Sequence, residues 1–252
     1  MIWIASYPRS GNTWLRFLLA AYFLGEARDS RAVEARIPNL HRGNIDKAWA
    51  HDPALGKTHL PWSESHPLHE ETRGGIYLIR HPKDVLLSNV NYFKLQGEAV
   101  EDRAFALEFI QHGGVAWWRE QMGSWDEHAR SWIESASLPR IVIRYEEMKE
   151  KPHAALAAVI RFLGIEPEPE RIDRAVLDCE LPQLRRIEAE ERQARLSALF
   201  PGGFDRLEPG RFFFNEGRVG QSLAHLGDDL DELFDRRFGG SLHLLDAAER
   251  LS

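Results

Sequence analysis

An apolar run near the start of the chain breaks into a small polar turn and then resumes as an apolar helix. The segment reads WIASYPRSGNTWLRFLLA, and its pattern predicts a buried strand over 3–6 and a helix over 13–24. The turn between them contains Gly11 and a single guanidinium, that of Arg9. At such a junction, unpaired backbone N–H groups converge with the positive end of the helix dipole. The segment therefore predicts an anion site at the first strand-to-helix turn.

An ordinary connection is the competing interpretation of this turn, with its serine or asparagine acting only as a helix cap. The turn is not a Walker A loop, because the G-x-x-x-x-G-K-[ST] spacing is absent and no magnesium ligand follows. It is also short, which suits one terminal anionic group better than a triphosphate.

Strands alternate with helical patterns along the rest of the chain. Strands are predicted at 3–6, 75–79 and 140–145, with the shorter run 54–58 as a candidate for a fourth, and helices are predicted at 13–24, 85–93 and 154–162. This alternation implies an α/β fold, with a parallel sheet covered by helices on both faces. Residues 97–138 predict further helices beside the sheet.

The C-terminal third contains a charged helical segment, 188–195, followed by LFPGGFDRLEPGRFFF. The glycines and prolines there predict a mobile loop, and we expect a lid near 190–214. No linker divides the chain, so residues 1–252 are expected to form one domain.

A net charge of −7 argues against a general nucleic-acid binder. Any polyanion site must then be local, built from a few cations on an acidic protein. Cys179 is the only cysteine, which suits a reducing compartment and a structural rather than a reactive thiol. No apolar run is long enough to span a bilayer, and no signal peptide precedes the first strand, so we expect a cytoplasmic protein with no membrane partner.

Basic residues occur where three predicted strands end. Arg9 and Arg80 follow two strands closely, and Lys57 lies at the end of the shorter one. Ligands of doubly wound sheets bind outside the carboxyl ends of the strands. Three cations at one edge of an acidic protein predict a ligand with more than one negative group.

Five motifs give the chain a specific resemblance. YPRSGNTW resembles the 5′-phosphosulfate loop of the sulfotransferase family, usually written Pro-Lys-Ser-Gly-Thr-Thr-Trp, and IYLIRHPKDVLLS resembles the family's 3′-phosphate motif. GKTHLP, MGSWDEHARSW and RYEEMKEKP also occur in the family's order and spacing, so that the resemblance covers 2–165 and, more weakly, 213–220. It implies the sulfotransferase fold, a P-loop-like parallel sheet. Through WIASYP, GNTW and EGR..QSL the chain is most similar to bacterial enzymes that sulfate glycopeptide antibiotics.

The resemblance implies that the cofactor is 3′-phosphoadenosine 5′-phosphosulfate (PAPS), with no metal. Arg9 stands where the family has a lysine, and its planar fork requires a different geometry at the 5′-phosphate. The other residues that the resemblance places around the nucleotide are Ser10, Gly11, Asn12, Thr13, Trp14, Arg80, Ser88, Tyr145, Leu181, Gly217 and Arg218. Arg80 and Ser88 are expected on the 3′-phosphate and Trp14 on the adenine, although Trp14 also suits a helix core.

His59 is the candidate general base, because a neutral imidazole has a pKa near working pH. Lys57 is expected to stabilise the transferring sulfonate, so the predicted catalytic residues are Arg9, Lys57 and His59. A zinc site is the alternative for the histidines, since His51, His59, His66 and His69 lie close together, but no cysteine or firmly spaced third ligand accompanies them. His128, in SWDEHARSW, is expected to pack between Trp125 and Trp132.

The C-terminal segment FFFNEGRVG departs from the family. Aligned on Gly217 and Gly220, it has Asn215 and Glu216 where the family presents a basic pair toward the 3′-phosphate. Arg218 is the candidate replacement, and Glu216 would repel the phosphate if it faced it.

The motifs together predict a sulfotransferase acting on a hydroxyl, phenolic or otherwise, of a small or natural-product acceptor. The alternatives are a nucleotide-dependent kinase on the same fold and an inactive nucleotide-binding protein. Aromatic residues in the segments expected around the acceptor favour an aryl or large apolar molecule, and they are Trp62, Phe93, Trp117, Trp118 and Phe200. A homodimer is the default expectation.

Overall fold

The sheet has four parallel strands in the order β2–β1–β3–β4 within the part of the chain that the structure describes. This structure is a computed structural model, and it describes residues 1–26, 29–43, 45–196 and 210–248. The strands are β1 (Ile2–Ser6), β2 (Leu55–Thr58), β3 (Gly74–Ile79) and β4 (Arg140–Arg144). All four predicted strands are confirmed. Tyr145, predicted to end the fourth strand, instead begins a helix.

Eleven helices surround the sheet among these described residues. They are α1 (Asn12–Leu24), α2 (Ser30–Arg36), α3 (Pro82–Leu95), α4 (Asp102–His112), α5 (Arg119–Met122), α6 (Trp125–Ile133), α7 (Tyr145–Glu150), α8 (Pro152–Phe162), α9 (Pro169–Asp178), α10 (Leu181–Ala194) and α11 (Leu230–Phe238). Proline opens α3, α8 and α9, where its missing N–H costs nothing. A capping box formed by Ser124 and Glu127 fixes the start of α6. None of the described helices is long and apolar enough to cross a membrane.

Alternation along the strands divides the core into two layers. In β1, Ile4 packs with α1 and α8 on one face, whereas Trp3 and Ala5 pack with α6 and α11 on the other. Both faces of the sheet are therefore covered by helices, as the sequence predicts. The helices of 97–138 lie beside the second face.

All four strands point the same way, so their carboxyl ends meet at one edge of the sheet. The turn 7–11 follows β1, His59 follows β2, Arg80 follows β3 and Tyr145 follows β4. The fold thus brings to one edge the residues that the sequence analysis singled out.

The expected lid, 190–214, falls largely on residues 197–209, which lie outside the described residues. Its two described ends are held in place. On one side α10 continues to Ala194, and on the other Phe213 and Phe214 donate their backbone N–H groups to the buried Glu188 carboxylate at 2.6 and 3.0 Å.

Candidate active site

The β1–α1 turn presents an uncapped helix N-terminus. Arg9 and Gly11 both have positive φ values, 70° and 97°, and α1 starts without a side-chain cap. The Asn12 amide instead donates to the Ile4 carbonyl at 3.0 Å and to Ser6 Oγ at 3.3 Å, which ties the helix to the strand. The capping interpretation of this turn is therefore wrong, and the first N–H groups and the positive end of the α1 dipole are open to an anion.

A cavity of about 1060 Å³ opens at this edge of the sheet. The predicted site residues that line it are Arg9, Gly11, Asn12, Thr13, Trp14, Lys57, His59, Arg80, Ser88, Tyr145, Leu181, Gly217 and Arg218. Ser10 does not line it. Its side chain is fully buried, and its hydroxyl has no hydrogen-bond partner among the described residues.

Arg9 and Arg80 are neighbours in the wall of this cavity. The Nη1 atom of Arg80 donates to the Arg9 carbonyl at 3.0 Å, and Arg9 Nε donates to Ser88 Oγ at 3.3 Å. Neither guanidinium has an ion-pair partner in the described part of the chain, and the buried Arg80 Nε has no hydrogen-bond partner there. Burial, and secondarily the charge of Arg80, lowers the pKa of Arg9 to about 10. Two neighbouring guanidinium groups without an ion-pair partner in the described part of the chain favour the binding of an anion.

Tyr145 lines the cavity and packs between Gly11 of the β1–α1 turn and Gly217 of the C-terminal segment. The Arg80 guanidinium lies 4.2 Å from the centroid of its ring, and Trp14 meets that ring edge-on at 6.1 Å. A Cβ atom on Gly11 would come within 2.5 Å of the ring, and one on Gly217 within 2.5 Å of its hydroxyl. Both positions therefore require glycine.

The part of the cavity wall around Trp14 is apolar. Trp14 Nε1 donates to the Cys179 carbonyl at 3.1 Å, and Leu181 at the start of α10 lies nearby with Val176 and Leu184. Burial raises the pKa of the Cys179 thiol well above its usual value, so this cysteine is a packing residue.

His59 is held as a neutral imidazole. Its Nδ1 lies 2.7 Å from the Ser6 carbonyl oxygen, which only accepts, so Nδ1 carries the proton and Nε2 keeps a lone pair. No described residue pairs with Nε2. Burial, and next the charge of Lys57, lowers the pKa of His59 well below its usual 6.5. Lys57 itself is buried and donates to Asn39 Oδ1 at 3.4 Å.

The remaining histidines do not assemble a metal site in the described ranges. His66 is buried beside Trp3 and Trp132, and His69 stacks on Trp62 at 4.8 Å. No group of three or more histidine, cysteine, aspartate or glutamate residues that could hold a metal is present among the described residues.

His128 is fully buried, as expected, but with different partners. Its ring packs on Tyr7 at 5.8 Å and on Tyr77 at 5.7 Å rather than between Trp125 and Trp132. His128, Trp125 and Trp132 all lie on the buried side of α6. The two tryptophans pack into the core of the second layer, whereas His128 contacts the tyrosines near the ends of β1 and β3.

The C-terminal segment is anchored by a buried carboxylate that the sequence analysis missed. Asp84, in the first turn of α3, accepts N–H groups from Gly220 at 3.0 Å and Gln221 at 3.2 Å. Arg80 Nη2 also donates to the Arg218 carbonyl at 2.8 Å. Glu216 forms an ion pair with Arg218, so its carboxylate is matched within the segment.

Several lining residues have no signal in the sequence. Lys149 on α7 donates to the Gly217 carbonyl at 2.8 Å, and Asn39 and His41 come from the start of the short 3₁₀ helix Leu40–Arg42 before β2. Tyr92 could have been found, because it lies four residues after Ser88 on α3 and so shares its face.

Of the described aromatic residues that were expected around the acceptor, only Trp118 lines the cavity. Trp118 lines the cavity, together with Leu87, Tyr92 and Met122. Phe93 is buried in the core, Trp62 packs on the histidines, and Trp117 is exposed outside the cavity. Phe200 lies outside the described residues.

The chain is similar to known proteins along nearly its whole length. A family model described as "Sulfotransferase domain" matches residues 1–246. Human Sulfotransferase 1E1 is 27% identical over 250 residues, which cover 93% of this chain and 81% of that protein, and mouse Sulfotransferase 1A1 is 30% identical over 187 residues, which cover 69% and 62%.

Two solved structures share the fold. Retinol dehydratase in complex with androsterone and the inactive cofactor PAP aligns with a TM-score of 0.72 at 18% identity, over 96% of this chain and 80% of that one. Mouse sulfotransferase SULT7A1 complexed with PAP aligns with a TM-score of 0.68 at 23% identity, over 98% and 86%.

Proposed function

Because this chain belongs to the sulfotransferase family, we propose that it moves a sulfonate group from PAPS to a hydroxyl of a small-molecule acceptor, with His59 as general base. The observation that carries the proposal is a pair of guanidinium groups without ion-pair partners in the described chain, the half-buried Arg9 and the buried Arg80, in the wall of a cavity that His59 also lines.

The cavity suits a doubly phosphorylated adenosine in three respects. Arg80, whose Nε has no partner among the described residues, and Ser88 provide one anion site, and Arg9 with the open N-terminus of α1 provides another. Trp14 and Leu181 offer apolar surface for the base. When bound, the cofactor supplies the sulfonate group that is transferred.

The chain's own residues then divide the work. Arg9 and the N–H groups of residues 11–13 hold the 5′-phosphate and neutralise its growing charge. His59 Nε2 accepts the proton of the attacking hydroxyl, and Lys57 stabilises charge on the transferring group. Because Nδ1 of His59 is already bound to the Ser6 carbonyl, the proton arrives at Nε2 without a change of tautomer at Nδ1.

A phenolic hydroxyl is the acceptor that we propose. Trp118, Tyr92, Leu87 and Met122 give the cavity an apolar wall suited to an aryl ring. The resemblance of WIASYP, GNTW and EGR..QSL to enzymes that sulfate glycopeptide antibiotics supports a natural-product phenol of that kind. Retinol dehydratase, which shares the fold, has been solved in complex with androsterone and in complex with retinol.

Transfer of sulfur label from PAPS tests the proposal. We expect labelled product from a panel of phenols, sugars and glycopeptide cores, with phenols preferred and with a chelator having no effect. PAP, the desulfated cofactor, should bind in calorimetry. Absence of PAP binding at any salt concentration would rule the proposal out, and magnesium-dependent ATP binding instead would favour the kinase alternative.

Replacement of Gly11 by alanine should weaken PAP binding by about tenfold or more. The new Cβ would lie 2.5 Å from the Tyr145 ring, at φ 97°, so the turn and the ring must both move. Gly25→Ala is the matched control, because Gly25 has φ 85° but nothing within 4 Å of its added Cβ. Calorimetry on both variants checks this, and equal losses in the two would show that backbone strain alone is responsible.

A further inference from the structure

Residues 59–62, which follow β2 and are called here the His59 segment, are hydrogen-bonded to one helix at three points. His128 Nε2 lies 3.0 Å from the His59 carbonyl, and Trp132 Nε1 donates to the Leu60 carbonyl at 3.0 Å. The third contact is made by Ser131, whose Oγ accepts the Trp62 N–H at 2.9 Å. All three partners lie on α6, in the motif SWDEHARSW, to which the proposed chemistry assigns no role.

The His59 segment depends on such contacts because β2 is an edge strand. Sheet pairing of β2 with β1 ends at Thr58, so no ladder hydrogen bond fixes the backbone of His59. Its N–H instead donates to His41 Nε2 at 3.1 Å, and its carbonyl accepts from α6. The position of the His59 backbone therefore depends on side chains from outside the sheet, whereas its ring is held by the Ser6 carbonyl of β1.

The tautomer of His128 is fixed by its two partners. The His59 carbonyl only accepts, so His128 Nε2 carries the proton, and Nδ1 accepts from the Tyr77 hydroxyl at 3.0 Å. His128 is fully buried, and burial lowers its pKa from 6.5 to about 4, so the ring stays neutral at neutral pH. Tyr77 lies in β3, in the middle of the sheet.

We infer that His128 is a positioning residue for sulfonate transfer. It links the rigid β3 strand, through Tyr77, to the main chain of His59, and so keeps the Nδ1 of His59 on the Ser6 carbonyl and its Nε2 available to the acceptor. His128 does not touch the cavity. The inference rests on the proposed role of His59 as general base. A displacement of about 1 Å at a reacting group costs about a hundredfold in rate, so the link matters to kcat and not to cofactor binding.

Three variants test this inference by their effect on sulfonate transfer at saturating PAPS. His128→Leu removes both hydrogen bonds and is expected to lower kcat about a hundredfold, with the Kd for PAP within about twofold of wild type. His128→Gln keeps a donor and an acceptor on a side chain of similar reach, and it should recover most of the rate. Tyr77→Phe removes the hydroxyl that donates to His128 and should lower kcat several-fold. This variant replaces His128→Leu in the test if His128→Leu does not fold.

His66→Leu is the matched control. His66 is also buried, and it packs on Trp132 and on Trp62, but it makes no hydrogen bond to the His59 segment. We expect it to lower Tm as much as His128→Leu while leaving kcat per folded molecule unchanged. Equal loss of kcat in the two histidine variants, or unchanged kcat in His128→Leu and Tyr77→Phe, would overturn the inference.

Nitrogen NMR of labelled histidines separates this inference from the proposed function. Wild-type His59 should show one tautomer, protonated at Nδ1, and His128→Leu should show a mixture of tautomers because Nδ1 leaves the Ser6 carbonyl. A wild type without sulfonate transfer would reject the proposed function. An unchanged single tautomer in His128→Leu would reject the positioning role, whatever the activity.

Discussion

Replacement of His59 by alanine is expected to lower kcat for sulfonate transfer by about 10²- to 10⁴-fold, the usual contribution of a general base. The Kd for PAP should stay within about twofold, because the phosphate contacts come from other residues. The reason lies in the two ring nitrogens. Nδ1 is occupied by the Ser6 carbonyl at 2.7 Å, and Nε2 alone is left to take a proton.

Rate and affinity measured on the same preparation check this result. His225→Ala, at an exposed histidine outside the cavity, is the control and should behave as wild type. Retained kcat in His59→Ala would exclude the base, and a parallel loss of PAP affinity would mean that His59 has a structural role instead.

The pH dependence of the wild type carries the same information. Burial and the neighbouring Lys57 lower the pKa of His59 well below 6.5, so the imidazole stays unprotonated as pH falls through 6.5. We therefore expect the acid limb of kcat/KM to lie below that of an ordinary histidine. An acid limb of the kcat/KM profile centred at pH 6.5 or above would contradict the lowered pKa of His59.

Replacement of Arg80 by alanine is expected to weaken PAP binding by about tenfold to a hundredfold. Hydrogen bonds to charged groups contribute about 1.5–3 kcal/mol each, and the Arg80 guanidinium is buried with Nε still without a partner among the described residues. Arg80→Lys should recover only part of the affinity, because an ammonium group lacks the planar fork.

The loss in Arg80→Ala has two possible sources, because the side chain also donates to the carbonyls of Arg9 and Arg218. Adenosine 5′-phosphate, which lacks the 3′-phosphate, separates them. We expect its affinity to change little, so that the preference of wild type for PAP over this ligand nearly disappears in the variant. Arg144→Ala, at the end of the neighbouring strand and outside the cavity, is the matched control. A variant that keeps the preference for PAP would show that Arg80 does not contact the 3′-phosphate.

The sequence was sufficient for the parts of the site that depend on local pattern. Strand periodicity located β1 and β3, and parallel pairing then required Arg9 and Arg80 to meet at one edge. The glycine at 11 marked a turn with positive φ before any partner was known. These features follow from a few neighbouring residues and from the geometry of parallel sheets.

Features that depend on tertiary packing were not predictable in the same way. Aromatic residues fill cores and line cavities equally well, so Phe93 and Trp118 could not be told apart until the core was known. Asp84 reads as an ordinary first-turn acidic residue, and its binding of the Gly220 N–H joins positions 136 apart in the chain. The two hydrogen-bond contacts of the His128 ring likewise involve Tyr77 and His59, neither of which is near it in sequence.

The most direct measurement is a crystal structure of the chain with PAP. The account predicts the 3′-phosphate within hydrogen-bond distance of the Arg80 guanidinium and Ser88, and the 5′-phosphate at Arg9 and the N-terminus of α1, with His59 Nε2 facing the position of the missing sulfonate. A nucleotide with its phosphates away from these two arginines, or with the imidazole of His59 turned from the 5′-phosphate, would contradict it.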